Sequence, residues 1–372
     1  MSRSPLLDTP HAIGHPDGDD ARPDGGVASH YGDPFAEQRA ATRRAVVVDR
    51  SHRGLVVVTG DDRLSWLHLL VSQQVADLPD GAGTEGLVLD VQGRVEHHAV
   101  ISHVDGAIWL DVEPGTAEAL AAYLSSMTFW SKVEVRDATD EFALLSLVGP
   151  EVAEVLTTGG VELPASDAGP LSGGGIVRRK DWPEHAVDLL VPRAALTDWW
   201  RRLTGAGATP AGLDTFEALR VASLRPRLGL DTDDRTIPHE VGWIGSAVHL
   251  AKGCYRGQET VSRVANLGRP PRQMVLLHLA SGDDALPPPG TPVLTAEGGR
   301  AVGRIGTAVR HHELGSVALA LVKRSAVAGG AELWVADDRE EGTPGPATVD
   351  ADSVPPDTGE PPGRTAVRRL QG

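Results

Sequence analysis

The chain has 372 residues, 41% of them hydrophobic, with a formal net charge of −16 and a single cysteine. That length holds two or three packed domains, and the acidic balance argues against nucleic-acid binding through a general basic surface, because phosphate affinity comes from Lys and Arg. One thiol excludes an internal disulfide framework and is too few to hold an iron–sulfur cluster within one chain.

No apolar run approaches the roughly 20 residues that span a bilayer, and the first residues lack the apolar core of a signal peptide. The expected compartment is the cytoplasm, with no membrane partner. Residues 1–34 are rich in Pro, Gly, Asp and His, and residues 337–372 in Pro, Gly, Asp and Glu. Both are expected to be disordered tails, since such segments bury too little apolar surface to offset their ordering entropy.

Between the tails, strand and helix signals alternate. "GLVVVTG" (54–60) reads as a buried strand. Asp61 or Asp62 then caps a helix with its apolar stripe at Leu64, Leu67, Val71, Val75 and Leu78. From residue 84 to 113, Gln92-Gly93 and Asp105-Gly106 separate β-rich runs and predict a three-stranded antiparallel meander. A helix follows with Leu120, Tyr123, Leu124 and Met127, then the strand "FALLSLVG" (142–149) and a short helix with Val152, Val155 and Leu156. "HAVDLLVP" (185–192) is a strand and "RAALTDWWRRL" an amphipathic helix. After residue 270 the helical signals stop. "QMVLLHLA", "TPVLTA", "RAVGRIGTAV", "GSVALALV" and "AELWVA" predict a small antiparallel barrel. The expected fold class is therefore α+β: a mixed body over residues 35–270 and a C-terminal β-barrel over 271–336.

The lone cysteine lies in "KGCYRGQE", residues 252–259. Its glycines suggest a tight loop or a close approach, and "GQETVSRVANL" after it has helical spacing at Val261, Val264 and Leu267. Cys254 would then precede a helix N-terminus, with Lys252, Arg256 and the helix dipole favouring thiolate. Two readings stand: a reactive thiol, or a small buried apolar residue, since free Cys is among the most buried types.

This octapeptide resembles the signature K-G-C-[YF]-x-G-Q-E of the YgfZ family, folate-binding proteins linked to the upkeep of iron–sulfur enzymes and, in some members, to tRNA methylthiolation. They are relatives of the glycine-cleavage T-protein, a tetrahydrofolate-dependent aminomethyltransferase. "VVVTGDDRLSWLHLLVSQQVADL", "LVLDVQGRV", "ALLSLVGPEVAEVL" and "RVASLRP" with "IPHE" are similar to other family segments, so the resemblance spans about residues 40–336. It implies a three-lobed ring, with two α+β lobes and the barrel around a central folate channel. It also implies tetrahydrofolate or a derivative as ligand, iron–sulfur assembly proteins or client enzymes as partners, and no resident metal.

By the same resemblance Cys254 is the working thiol, and Lys252, Asp188, Arg220, His98, Tyr255 and Gln258 are the folate contacts. Asp188 falls where the T-protein relatives carry a pterin-binding acid; its other reading is a strand acid facing solvent. Arg220 falls at a family arginine, but the Glu-Ala-Gly after that arginine is here Ala222, Ser223 and Leu224. Arg225 and Arg227 lie close enough in sequence to share an anion-binding role. Lys252 either tunes the thiol or holds the folate tail, and Tyr255 also reads as a packing residue. The Asp-Asp pair of the aminomethyltransferases is replaced by His97-His98. An imidazole does not do the work of a fixed carboxylate, so the T-protein reaction is disfavoured and enzymatic activity is left open. The leading reading is a folate-binding accessory protein for iron–sulfur assembly or repair. The others are a folate-dependent aminomethyltransferase or demethylase, and a ligand-free interaction module.

Overall fold

The computed structural model describes residues 3–15, 23–267, 269–280, 286–327, 332–336 and 345–354. The chain divides into two compact units. The first takes residues 1–69, 74–86 and 97–219; the second takes 70–73, 87–96 and 220–372. Both α+β sheets and the closed barrel expected from the sequence are present. No helix among the described residues is long and apolar enough to cross a membrane.

One sheet has six strands in the order Thr209–Ala211, Val46–Asp49, Phe142–Val148, Ala186–Pro192, Ile176–Lys180, Ala168–Pro170. Its central strands are apolar at nearly every position because both faces are covered. One face packs on the helices Val152–Thr158 and Leu196–Gly205 through Val155, Leu156, Trp199, Trp200 and Leu203. Leu144, Ile176 and Leu190 on the other meet Leu55, Val57 and Val104 of the second sheet. That sheet has five strands in the order Gly83–Leu89, Val95–Val104, Ala107–Val112, Gly54–Thr59, Glu134–Asp137. It contains the predicted meander, whose second turn has Asp105 and Gly106 both at positive φ, 50° and 71°, as a two-residue hairpin of this hand requires.

Two sequence expectations change in this unit. Residues 1–34 are not a free tail where they are described: Leu6 is fully buried in the six-stranded sheet's core, Ser4 hydrogen-bonds Asp49, and Ile13 bridges to His30. The segment is poor in apolar residues, but the few it has are spent as anchors. The helix with the predicted 64–78 stripe ends at Leu70. Ser72 is drawn instead into tertiary bonds of the second unit, its N–H donating to Leu87 O (2.9 Å) and its hydroxyl to Ala247 O (2.7 Å). Val71 and Val75 are still buried, but not on one helix face.

The second unit carries the barrel, ordered Arg272–Leu279, Gly315–Lys323, Ala301–His311, Pro292–Leu294, Glu332–Val335, Gly345–Val349. Five strands match the sequence reading. The sixth, Gly345–Val349, falls in what was expected to be a disordered tail, so the barrel runs past residue 336. The signal for it is short: Ala347 and Val349 alternate inward among Gly, Pro and Thr. Closure supplies the driving force, since a five-stranded sheet would leave two unpaired edges. The rest of the expected C-terminal tail, 337–344 and 355–372, lies outside the described residues.

Candidate functional site

The Cys254 loop is built within the second unit on the hairpin tip at 90–94. Asp90 forms that tip: its carboxylate accepts the N–H of Gln92 and of Arg94, both at 2.8 Å, and Gly93 completes the turn with φ of 79°. Gly257 takes φ of 82°. A Cβ on Gly257 would lie 2.5 Å from Asp90 O and 2.9 Å from Gly93 Cα, and a Cβ on Gly93 would lie 2.9 Å from Thr260 Cβ. The two glycines are needed for the same reason, a close approach of the loop to the hairpin, and "QGR" and "RGQE" are two halves of one contact. The helix Gln258–Leu267 then starts as the spacing predicts.

The side chains of the octapeptide differ in exposure. Cys254 is exposed, which removes the buried-apolar reading. Lys252 and Tyr255 are buried on either side of it. Lys252 Nζ donates to Val71 O at 2.6 Å and Gln73 O at 3.1 Å and lies 5.1 Å from the Tyr255 ring centroid. Burial pushes the Lys252 ammonium down to about 8 and the Tyr255 hydroxyl up to about 12. Gln258 Nε2 donates to Lys252 O at 3.2 Å, bracing the loop from the helix. Gln73 Nε2 donates to Ser246 O at 2.8 Å, which ties the 71–73 segment to the chain just ahead of the loop. Arg256 pairs with Glu96 at 2.8 Å in a half-exposed ion pair, worth little by itself. These hydrogen bonds of Lys252 and Arg256 run to carbonyls and to Glu96, so both cations hold the loop backbone, a role the sequence reading did not give them.

Gly257→Ala is expected to cost about 1–3 kcal/mol from positive φ alone, several degrees of melting temperature, and more because the added carbon also meets Asp90 O. A melting curve checks it. An unchanged midpoint would mean that loop and hairpin do not touch.

Arg220 begins the longest segment of the second unit. Its guanidinium is buried and donates to Asp231 Oδ2 (2.8 Å), to Thr307 Oγ1 (2.6 Å) and to Arg225 O. Asp231 also accepts the N–H of Arg227 (2.8 Å) and of Thr307 (2.7 Å). Arg220 thus braces the segment after its helix against the barrel strand Ala301–His311. The helix stops at Ala222, and Leu224, in the triplet that departs from Glu-Ala-Gly, takes φ of 54°.

Asp188 and His98 belong to the first unit. Asp188 is fully buried, not a strand acid facing solvent. Ser146 Oγ–H donates to its Oδ1 at 2.6 Å. Arg178 Nε and Nη2 reach Oδ2 at 3.1 and 2.7 Å, Lys180 Nζ lies 3.4 Å from Oδ2, and Arg50 3.9 Å from Oδ1. A carboxylate offers about four lone-pair positions, and these donors take them up. Arg178 continues to Asp111, which Arg53 holds at 2.6 Å while also holding Glu113 at 2.7 Å. Burial alone would raise both acids, but the surrounding cations win: Lys180, Arg178 and Arg50 hold Asp188 well below the usual carboxylate range, and Arg53, Arg178 and Arg50 do the same for Asp111. The sequence points to the acid alone; the cations of this buried ionic cluster come from neighbouring strands and loops and carry no local signal.

His98 is buried and its Nε2 lies 3.3 Å from Glu85 Oε2. His97 is half-buried, stacks on Tyr123 with ring centroids 6.4 Å apart, and is pushed below the usual imidazole range by burial. Of the predicted residues, then, Lys252, Cys254, Tyr255 and Gln258 form one loop, Arg220 braces the same unit, and Asp188 and His98 sit in separate settings of the other.

Residues 30–167 match the GCVT N-terminal domain family and residues 272–352 the CAF17 C-terminal beta-barrel domain family. A chloroplastic protein of Arabidopsis thaliana named as a transferase is 27% identical over 327 residues, 84% of this chain and 73% of that one. An aminomethyltransferase of Rubrobacter xylanophilus is 32% identical over 230 residues, 58% of this chain and 60% of the relative. Among solved structures, glycine cleavage system aminomethyltransferase T from Bartonella henselae superposes with a TM-score of 0.80, covering 94% of this chain and 96% of that one at 19% identity. At that identity the likeness concerns the fold.

Proposed function

We propose that this chain is a folate-binding accessory protein that supports iron–sulfur cluster assembly or repair, with Cys254 as its working thiol. The observation that carries the reading is the exposed sulfur on a loop fixed by buried side chains on both sides and by two facing glycines. A chain with one cysteine has built a rigid mount for it and left the thiol open. The octapeptide resembling the YgfZ signature supports the iron–sulfur role, and the barrel match to the CAF17 family is consistent with it. The aminomethyltransferase relatives support tetrahydrofolate, or a derivative, as the ligand.

The second reading, a folate-dependent aminomethyltransferase or demethylase, is favoured by the names of those relatives. Against it stand His97 and His98, in place of the Asp-Asp pair of the transferases this chain resembles; His98 Nε2 lies 3.3 Å from Glu85 Oε2. A purified sample that converts N-methyl or aminomethyl donors with tetrahydrofolate would establish the second reading over the first.

Titration with tetrahydrofolate tests the ligand. At a hundredfold excess over the dissociation constant, binding to the folded state adds about 2.7 kcal/mol, which in a chain of this size raises the melting temperature by roughly 5–10 °C. No shift at saturating ligand would replace both folate readings with the interaction module.

A further inference from the structure

The turn after the helix Ala117–Ser126 puts two adjacent aromatic side chains into solvent: Trp130 is 98% exposed and Phe129 79%. Phe129 also holds φ of 43°, a left-handed conformation that a bulky side chain adopts only under constraint. The constraint is visible within the first unit. Trp66 Nε1–H donates to Met127 O at 2.8 Å, Ser131 N–H to Thr128 O at 2.8 Å, and Lys132 N–H to Asp62 Oδ2 at 2.8 Å. The turn is therefore held in place while its two largest side chains touch water.

The surface leading to it is uncharged. No Asp, Glu, Lys or Arg occurs from residue 119 to 131, and the helix exposes Ala119, Ala122, Ser125 and Ser126 there. In a chain with 86 such residues in total, 35 basic and 51 acidic, the exposed aromatic pair and the absence of charge around it match the centre of an interface. The charged residues beside it along the chain are mostly acidic: Glu118, Glu134, Asp137, Asp140 and Glu141 against Lys132 and Arg136, and Arg136 is itself paired with Glu141.

We propose that Phe129 and Trp130 anchor a docking surface for a partner protein that offers an apolar pocket rimmed by Lys or Arg. Charge complementarity selects that occupant. A second copy of a chain at −16 repels this acidic border, and an anionic bilayer does too. Paired aromatic anchors in an uncharged patch are the usual carriers of protein–protein binding energy. The proposal is independent of the folate reading.

The full chain with a photo-crosslinking residue at position 126, exposed beside the two anchors, expressed in a deletion strain, tests it. The expected result is a heterologous protein adduct whose yield falls roughly tenfold or more on Phe129→Ala, the neighbouring anchor, and falls also on Glu118→Lys with Glu134→Lys. Trp130→Ala should keep the melting temperature and the tetrahydrofolate-induced shift of the parent yet lose complementation. Unaltered folate binding separates this outcome from failure of the folate reading. Adducts to a second copy, co-flotation with phosphatidylglycerol vesicles that depends on Trp130, an adduct indifferent to the acid-to-lysine changes, or full complementation by Trp130→Ala would each overturn the proposal.

Discussion

Arg178→Met should lower the melting temperature by about 6–20 °C. The magnitude follows from about 3–5 kcal/mol for removing one partner from a buried ion pair, at roughly 2–4 °C per kcal/mol for a domain of this size. Arg178 touches both Asp188 and Asp111. Its loss leaves two fully buried carboxylates with only Lys180, Arg50 and Arg53 to oppose them. Methionine keeps the bulk, so the effect reads the charge and not a cavity. Arg178→Lys retains the charge but not the fork that reaches both acids, and should fall between the two. A double variant, Arg178→Met with Asp188→Asn, should recover part of the loss. If Arg178→Met melts within 2 °C of the parent, the cluster is not a buried ionic network.

The same cluster sets an acid dependence. Asp188 and Asp111 have folded-state values depressed below the roughly 3.9 of an unfolded aspartate. Their stabilisation is fully present above that value and is lost as pH falls toward the folded values, where the native state must at last take up protons. The native chain should therefore hold its stability down to about pH 4 and lose it below. In Arg178→Met the two acids bind protons at higher pH, and the acid unfolding limb moves up with them. Equilibrium unfolding from pH 2 to 7 checks the sign.

How much of this was legible in the sequence depends on the length scale of each signal. The apolar runs at 142–149 and 185–192, the helix at Trp199-Trp200 and five barrel strands each carry their signal within one segment, and the sequence is enough to find them. Asp188 was read as a single acid. Its environment comes from register: Asp188 pairs with Ser146 on one side and Arg178 on the other, a row across three strands drawn from positions 42 and 10 residues away. No local pattern reports that row. The same holds for Gly93 and Gly257, each legible as a turn glycine while their mutual approach was not. Where composition was averaged over a window, it misled. Leu6 and Val349 stand among few apolar residues in Pro- and Gly-rich surroundings, yet both are buried; the first fills a core and the second closes a barrel.

Cys254→Ala is expected to abolish function while leaving the fold intact. The side chain is exposed, and exposed substitutions away from caps and strained backbone stay within about 0.5 kcal/mol, so the melting temperature should match the parent within about 2 °C. The groups that shape the loop are untouched: Lys252 still reaches Val71 and Gln73, Gln258 still braces Lys252, and Gly257 still lies against the hairpin. What disappears is the sulfur alone. In a deletion strain, iron–sulfur enzyme activity should stay at the deletion level with Cys254→Ala, and with Cys254→Ser, whose hydroxyl is similar in size but neither a soft metal ligand nor a ready nucleophile at neutral pH. Gly257→Ala supplies the converse, since it keeps the thiol and disturbs its mount; its complementation should fall only as far as the loop is displaced. If the alanine variant restores iron–sulfur enzyme activity as well as the parent does, the thiol has no working role. The rigid loop would then serve ligand binding through Lys252, Tyr255 and Gln258, and tetrahydrofolate affinity would be the property to follow.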